Sequence, residues 1–523
     1  MLEVGSVEGR LFHRGAVQAL APKEEVAPRL SALVRKELVR PDKPQIPGDD
    51  AFRFRHLLIR DAAYDALPKT ARADLHARFA GWLEEHGRDL VELDEILGYH
   101  LEQAARYHAE LGQPDEELAA RARDRLAAAG GRAMLRLDPG AAAGILERAV
   151  LLLPPNGYDA NLELDLVSAL FFGGRPGEIE ARVTSLEERA AEAGDRATQL
   201  RARLNGEIAR AYVDAGLAID HLERFAQEAL PELEAIGDPL ALYDAWNALV
   251  LVAHSRLHSA EKLAAAERAV GYAKQAGDQH RVQLVLPYLV NARYYGPTPA
   301  AEALAWIEEQ EAAGVHHPAF DAHAAQFLAM LGRFEEARAT HERDNARFEQ
   351  FGAGVPLAIN CIIRMEIELM AGDFESSYEW GLRGCDLMEA MGHMSWLSTM
   401  SAELGNVLCE LGRYDEAASR AAQSRELGAD DDVATQMYWR EVQAKVLVER
   451  GETESAERLA REAVELARQT DNINGQADAL FDLGRVLARA GRHEQAGRAF
   501  REAVDLFGQK GNVAMAERVQ ALL

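Results

Sequence analysis

Cysteine is scarce in this chain: Cys361, Cys385 and Cys409 are the only three among 523 residues, and no two stand in a Cys-x-x-Cys spacing. That excludes a disulfide framework and a cysteine zinc knuckle, and it fits buried free thiols in a reducing compartment. Long apolar runs are missing as well. ALVLVA at 248–253 is among the longest, far short of the ~20 residues that cross a bilayer. The opening MLEVGSVEGRLF has neither the basic nor the apolar region of a secretory leader. A cytoplasmic location without a membrane partner is expected. The dipeptide Gly-Lys occurs nowhere, which excludes the phosphate-cradling G-x-x-x-x-G-K-[ST] loop. Positive charge is in deficit, 58 Lys and Arg against 85 Asp and Glu for a net charge of -27. That balance argues against nucleic acid and anionic membranes as partners. It favours basic partner segments, through contacts that salt weakens.

Signs of catalysis are lacking too. There is no nucleophile elbow, no phased carboxylate pair and no Cys–His pairing, so no enzymatic activity, cofactor or metal is expected. His316, His317 and His323 in HHPAFDAH match no zinc spacing. His254 and His258 lie four apart without the glutamate of a metalloprotease motif, and read as surface residues at a turn. The acidic ELGADDD (426–432) reads as a solvated loop and helix cap.

What the chain has is repetition. Apolar residues make up 48% and charged ones 27%, as in an ordinary folded protein, but 523 residues are too many for one core. LGRFEEAR (331–338), AGDFESSYEW (371–380), LGRYDEAA (411–418), RGETESAE (450–457) and AGRHEQAG (490–497) are one phrase rewritten. Their glycines, Gly332, Gly372, Gly412, Gly451 and Gly491, are 39 or 40 residues apart. A second ladder interleaves: Gly314, Gly352, Gly392, Gly428, Thr470-Asp471 and Gly511. Glycine suits helix C-termini, so two ladders per period mean two helices per repeat. Worn turns continue backwards at YYGPTP (294–299), HSRLHS (254–259), AGLAID (215–220), FGGRPGE (172–178) and LDPGAAA (137–143). About ten helix pairs are expected from residue 94 onward.

In the last full unit, Leu480, Leu483 and Leu487 recur at helical spacing on one helix, and Ala496, Phe500 and Ala503 on the next. Gly484 stands where a side chain would hold the partner helix away. This pattern of Gly484, Gly491, Ala496, Phe500 and Ala503 resembles the tetratricopeptide (TPR) signature. Gly405, Gly412, Tyr414 and Ala417 follow it nearly as well. The expected fold class is therefore all-α, a TPR-like α-solenoid over 93–523 with a different segment at 1–92. Such an array offers a long binding face for a protein or peptide. Trp380, Trp396, Trp439, Tyr378, Tyr414 and Tyr438 are expected mostly in helix seams, with one or two on that face as anchors.

Residues 1–92 do not fit the repeat. LFHRGAVQAL (11–20) and VAPRLSALVRKELV (26–39) read as helices, then LVRPDK (38–43) and AFRFRH (51–56) as two strands. Phe52 and Phe54 alternate with Arg53 and Arg55, placing both rings on one face. HLLIRDAAYDAL and ARADLHARFAGWLEEH follow as helices, an order that suggests a winged-helix-like segment. Residues 21–80 hold 12 basic and 9 acidic side chains, which counts against DNA as its ligand.

GSVEGRLFHRGAV, FRFRHLLIRDAAYDALP and RADLHARFAGWLEEH together resemble the segment after the nucleotide-binding domain of STAND-type signalling ATPases. They are similar above all to bacterial ATPases fused to class III adenylate/guanylate cyclases. Phe52, Phe54, His56, Leu58, Ile59 and Tyr64 carry the most specific phrase. The resemblance implies a winged helix and TPR array acting as sensor and lock on an ATPase and its effector. It implies an interdomain contact at Phe52, Phe54, His56, Arg60 and Tyr64. The ATPase and cyclase domains are absent from this chain, as is a C-terminal helix-turn-helix; on this reading Met1 falls where the ATPase would finish, and the catalytic domains would lie upstream. Two functions follow as alternatives: a free-standing, non-catalytic interaction module, or the regulatory C-terminal part of an ATP-binding cyclase.

Overall fold

A computed structural model of the chain describes residues 1–136, 138–213, 217–351, 354–430 and 432–523. Contacts group them into two compact units, Met1–Gly206 and Glu207–Leu523. The expected boundary at 92/93 falls inside the first unit.

That unit opens with α1 (Leu2–Glu8), β1 (Leu11–His13), α2 (Arg14–Leu20), α3 (Val26–Arg35), β2 (Val39–Asp42) and β3 (Ala51–Phe54). The strands form one antiparallel sheet in the order β1-β3-β2. Pro41 sits in the edge strand β2, where a missing N–H is tolerated. Leu11–His13 is a strand, not the first turn of a helix as its amphipathic reading predicts. Two local facts explain this: Phe12 is fully buried with its ring 5.1 Å from that of Phe54, and the backbone N–H of His13 donates to Glu8 Oε2 at 2.9 Å. Extended backbone lets both contacts form while β1 pairs with β3.

Helices α4 (Leu57–Asp65), α5 (Lys69–His86), α6 (Leu93–Glu110) and α7 (Glu116–Leu135) follow. Next come α8 (Pro139–Val150), α9 (Ala160–Phe172), α10 (Ile179–Ala193) and α11 (Arg196–Val213), which spans residue 206.

The second unit continues with α12 (Leu217–Ile236), α13 (Pro239–Ser255), α14 (Ser259–Gln275), α15 (Gln279–Tyr295) and α16 (Ala300–Ala312). It proceeds through α17 (Pro318–Met330), α18 (Phe334–Phe351), α19 (Gly354–Ala371), α20 (Phe374–Met391), α21 (Met394–Glu410) and α22 (Tyr414–Leu427). It ends with α23 (Val433–Glu449), α24 (Thr453–Ala467), α25 (Ile473–Arg489), α26 (His493–Lys510) and α27 (Val513–Gln520). In the second unit consecutive helices pack as pairs, α13 with α14, α17 with α18, α19 with α20, α21 with α22, α23 with α24 and α25 with α26.

The local chemistry of each pair repeats. Gly332, Gly372, Gly412, Gly451 and Gly491 all take the left-handed conformation between paired helices, with φ of 72 to 84°, where a Cβ is disfavoured. Asp or Asn then starts the next first helix: Asp238, Asp278, Asp432, Asn472 and Asn512 each accept a backbone N–H in the first turn. Gly428 departs from its ladder, with φ of -80°. It is glycine for another reason, since an added Cβ would stand 2.4 Å from Thr435 Cγ2. Gly352, Leu137 of LDPGAAA and residues 215–216 of AGLAID lie outside the described residues.

Within the second unit the array meets itself. α25 packs on α15, and α27 on α17 and α19. Two polar tethers fix this arrangement. Asp471 accepts the backbone N–H groups of Ser259 and Ala260, each at 2.6 Å, at the N-terminus of α14. Lys510 donates to the carbonyls of Arg293, in the last turn of α15, and of Gly296 and Thr298 just beyond it. The signs are those that helix ends prefer.

Candidate functional site: an N-terminal corner and an acidic cavity

The five residues expected at an interdomain contact have different surroundings. Phe54 is fully buried and Phe52 half-buried, their rings 5.1 and 6.0 Å from Phe12. His56 occupies the exposed N-cap of α4, and its side chain makes no capping bond. Arg60 Nε donates to the Ser6 carbonyl at 3.0 Å, with its guanidinium 4.8 Å from the Tyr64 ring centroid. The apolar surface at this corner comes instead from Leu57 and Leu58, the latter 79% exposed.

Tyr64 leads into a buried polar chain that the sequence did not advertise. Its hydroxyl lies 2.8 Å from His76 Nε2 and 3.0 Å from the Tyr107 hydroxyl. His76 Nδ1 in turn lies 2.8 Å from His100 Nδ1, so one of the two nitrogens carries the shared proton. Burial, assisted by the positive charge of Arg60, pushes His76 down to about 3. Burial also holds His100 well below the ordinary histidine range, and charge on His76 adds to it. Both rings are neutral at physiological pH, joining α5 to α6.

In the second unit the first helices of successive pairs line a cavity of about 150 Å³. Its apolar wall includes Tyr294, Met330, Met365, Tyr438 and Phe481. Into this space α19, α21, α23 and α25 present Glu366, Glu403, Glu441 and Asp478, one carboxylate every 37 or 38 residues. That period is the signal that could have found them; each taken alone is an ordinary acidic residue in a helix. Tyr438 is the expected aromatic that reaches this face.

The carboxylates divide into two groups. Glu410 is bound by Arg485 and, at 2.6 Å, by Arg518; Asp482 accepts from Lys445 at 2.5 Å. Glu366 accepts from Tyr294 at 2.9 Å and from Gln326. Glu403, Glu441 and Asp478 form no ion pair among the described residues. Burial raises Glu403 well above the usual carboxylate range, and Glu366 adds to the effect. Glu441 is raised by burial and then by Asp482. Asp478 is pushed up to about 7 by the same two causes. Glu441, 2% exposed, leaves Oε1 without a hydrogen-bond partner, and Asn406 Oδ1 on the same cavity wall is likewise unpaired. Buried acceptors without donors are costly, on the order of 1–3 kcal/mol each.

The other residues singled out in the sequence lie elsewhere. His317 caps α17 by accepting from Ala319 N–H at 3.0 Å, and His323 Nδ1 lies 2.7 Å from Gln326 Oε1. His254 is half-buried, 3.4 Å from Lys262 Nζ, and not the freely exposed turn residue expected, because α14 and α15 close over it. Cys361, Cys385 and Cys409 are free and buried, and burial pushes their thiols up to about 11, 12 and 11. Asp432 caps α23 as expected of its acidic loop, while Asp431 lies outside the described residues. Trp439 is mostly buried and donates to Gln436, whereas Trp396 is 48% exposed. No group of His, Cys, Asp and Glu among the described residues could hold a metal ion. No helix among them is long and apolar enough to cross a membrane.

Residues 435–509 match the family model described as tetratricopeptide repeat. No curated protein matches the chain. Among solved structures, a Rap protein complexed with Competence and Sporulation Factor superposes with a TM-score of 0.51 at 13% identity, covering 67% of this chain and 98% of that one. NprR in complex with its cognate peptide NprX gives 0.44 at 12% identity, over 70% of this chain and 98% of NprR. A STAND protein with a tetratricopeptide repeat sensor from Pyrococcus horikoshii gives 0.40 at 13% identity. All of this chain is covered there but only 65% of that protein, so the chain spans about two thirds of its length. The fold is a TPR-like α-solenoid.

Proposed function

We propose that this chain is a non-catalytic interaction module whose second unit receives a segment of a protein or peptide in the cavity between its first helices. The carrying observation is the set of carboxylates there that form no ion pair among the described residues, Glu403, Glu441 and Asp478. A stabilising core would bring them together only at a cost, whereas a binding face presents them to a ligand. Peptides selected by display against the full chain test this. They are expected to bind about tenfold more weakly to Tyr438→Ala and Glu403→Lys variants. Binders indifferent to both substitutions, or no binders at all, would remove the reading.

A second reading, that the chain regulates an ATPase or cyclase as the lock of a signalling protein, draws on the N-terminal corner. The order α1-β1-α2-α3-β2-β3 supports a winged-helix-like segment at 1–92, with 93–523 as the repeat array. Exposed Leu57 and Leu58 beside His56 offer an apolar docking face, of the kind that marks an interaction site. Phe52, Phe54, Arg60 and Tyr64 would support that face from beneath, and the setting would be cytoplasmic. Immunoblotting source cells with an antibody against residues 400–523 tests it. A band well above the mass of this chain supports an attached ATPase; a band at that mass leaves the free-standing module.

A further inference from the structure

The cavity has a chemical preference, and this inference rests on reading it as the ligand site. From the unpaired acceptors Glu441 Oε1 and Asn406 Oδ1, set beside Glu403 and Asp478, we infer that the cavity takes one alkylammonium or guanidinium group with its aliphatic stem.

Three observations converge on that class. The unmet demand is for donors, since both orphaned atoms accept and Glu441 is all but buried. The carboxyls Glu403, Glu441 and Asp478 have no ion-pair partner among the described residues, and a cation seated beside them would draw off their protons and pair with the charge. Lys445 is already held by Asp482, and Arg485 and Arg518 are held by Glu410, so these three cations are committed elsewhere. The space is small: an apolar cavity of about 150 Å³ in another protein holds one benzene molecule, so this one fits a side-chain head and not a folded element. Met330, Met365 and Phe481 supply the apolar wall for a methylene stem, as lysine and arginine stems require. Two sources share this chemistry, a lysine or arginine side chain of a partner segment and a free polyamine.

Calorimetric titration of the full chain at about pH 8, above the value of Asp478, separates these outcomes. The probes are the acetylated, amidated peptide Ala-Ala-Lys-Ala-Ala, the same peptide with norleucine for lysine, and spermidine. The lysine peptide is expected to bind about tenfold tighter than its norleucine counterpart. The double variant Glu403→Gln, Glu441→Gln is expected to lose that difference. These near-isosteric changes keep the shape of both side chains, and cooperative melting at or above the wild-type temperature verifies the fold; Asp478→Asn provides a second, independent variant. Saturable spermidine binding that competes with the lysine peptide and fails in the same variants assigns the site to free amines as well. Equal binding of lysine and norleucine, or heat from none of the three, overturns the cation site. If displayed peptides still depend on Tyr438 while charge makes no difference, this inference falls and the interaction module stands.

Discussion

Lys510, at the end of α26, donates 2.7 Å to the carbonyl of Gly296, 214 residues earlier in the chain. Its other two protons reach the carbonyls of Arg293 and Thr298 at 2.6 and 2.8 Å. One ammonium therefore satisfies three acceptors just where α15 ends and the array returns to meet itself. Lys510→Met keeps the stem and removes every donor. The expected loss is roughly 3 kcal/mol, the scale of charged hydrogen bonds and of carbonyls left buried without them. Hydrogen exchange should show it locally, as faster opening of residues 293–298 and of α26 and α27, with α6 and α7 unchanged.

Asp478 predicts a pH dependence of known sign. Its pKa rises from 3.8 to about 7 on folding, chiefly through burial and then through Asp482. Between those two values the folded chain binds more protons than the unfolded one. Its contribution to stability is thus complete below the unfolded value and is lost as pH climbs through 7. The wild-type melting temperature of the second unit should fall more between about pH 5 and pH 8 than that of Asp478→Asn. Equal slopes in the two proteins would remove Asp478 as the cause.

How much of this could be read beforehand depended on the range of each interaction. The turn glycines and the capping Asp and Asn residues act within a few positions, so the forty-residue period and the helix pairs were legible. β1 was not, because Leu11–His13 is extended only through contacts with Phe54 and Glu8, and its own pattern continues smoothly into α2. His76 and His100 gave no sign, each being one polar residue in an amphipathic helix until packing joins them. The cavity carboxylates lay in between. Glu366, Glu403, Glu441 and Asp478 share the period of the repeat, but one acidic residue per repeat looks like a solvated face until the array winds back on itself.

The His76–His100 pair should make the first unit sensitive to acid, opposite in sign to Asp478. Burial lowers His76 from 6.5 to about 3 and His100 in the same direction. The folded chain then binds fewer protons than the unfolded one, so this contribution is present above 6.5 and is lost as pH falls toward 3. Hydrogen exchange in α5 and α6, corrected for intrinsic rates, should reveal greater opening at about pH 5 than at pH 7. His76→Gln, which cannot charge, should reduce that difference. A difference unchanged in the variant would assign the acid response to other groups.

Two glycines of one repeat should fail in different ways. Gly484 faces its partner helix: a Cβ there would stand 2.4 Å from Phe500 Cε1, a ring that is itself buried. Gly491 has open space around it and a φ of 78°, so alanine there meets backbone strain alone. Overpacking of a filled seam costs about 1–3 kcal/mol, and left-handed backbone about 1–2 kcal/mol per residue. Gly484→Val should therefore destabilise α25 and α26 well beyond Gly484→Ala, because each added methyl displaces Phe500 further. Gly491→Met should cost little more than Gly491→Ala, because an unbranched side chain adds no further strain at Cβ and its extra atoms enter solvent. Urea unfolding of the four variants separates the two mechanisms. If side-chain size matters equally at both positions, the close approach at Gly484 is not what holds this seam together.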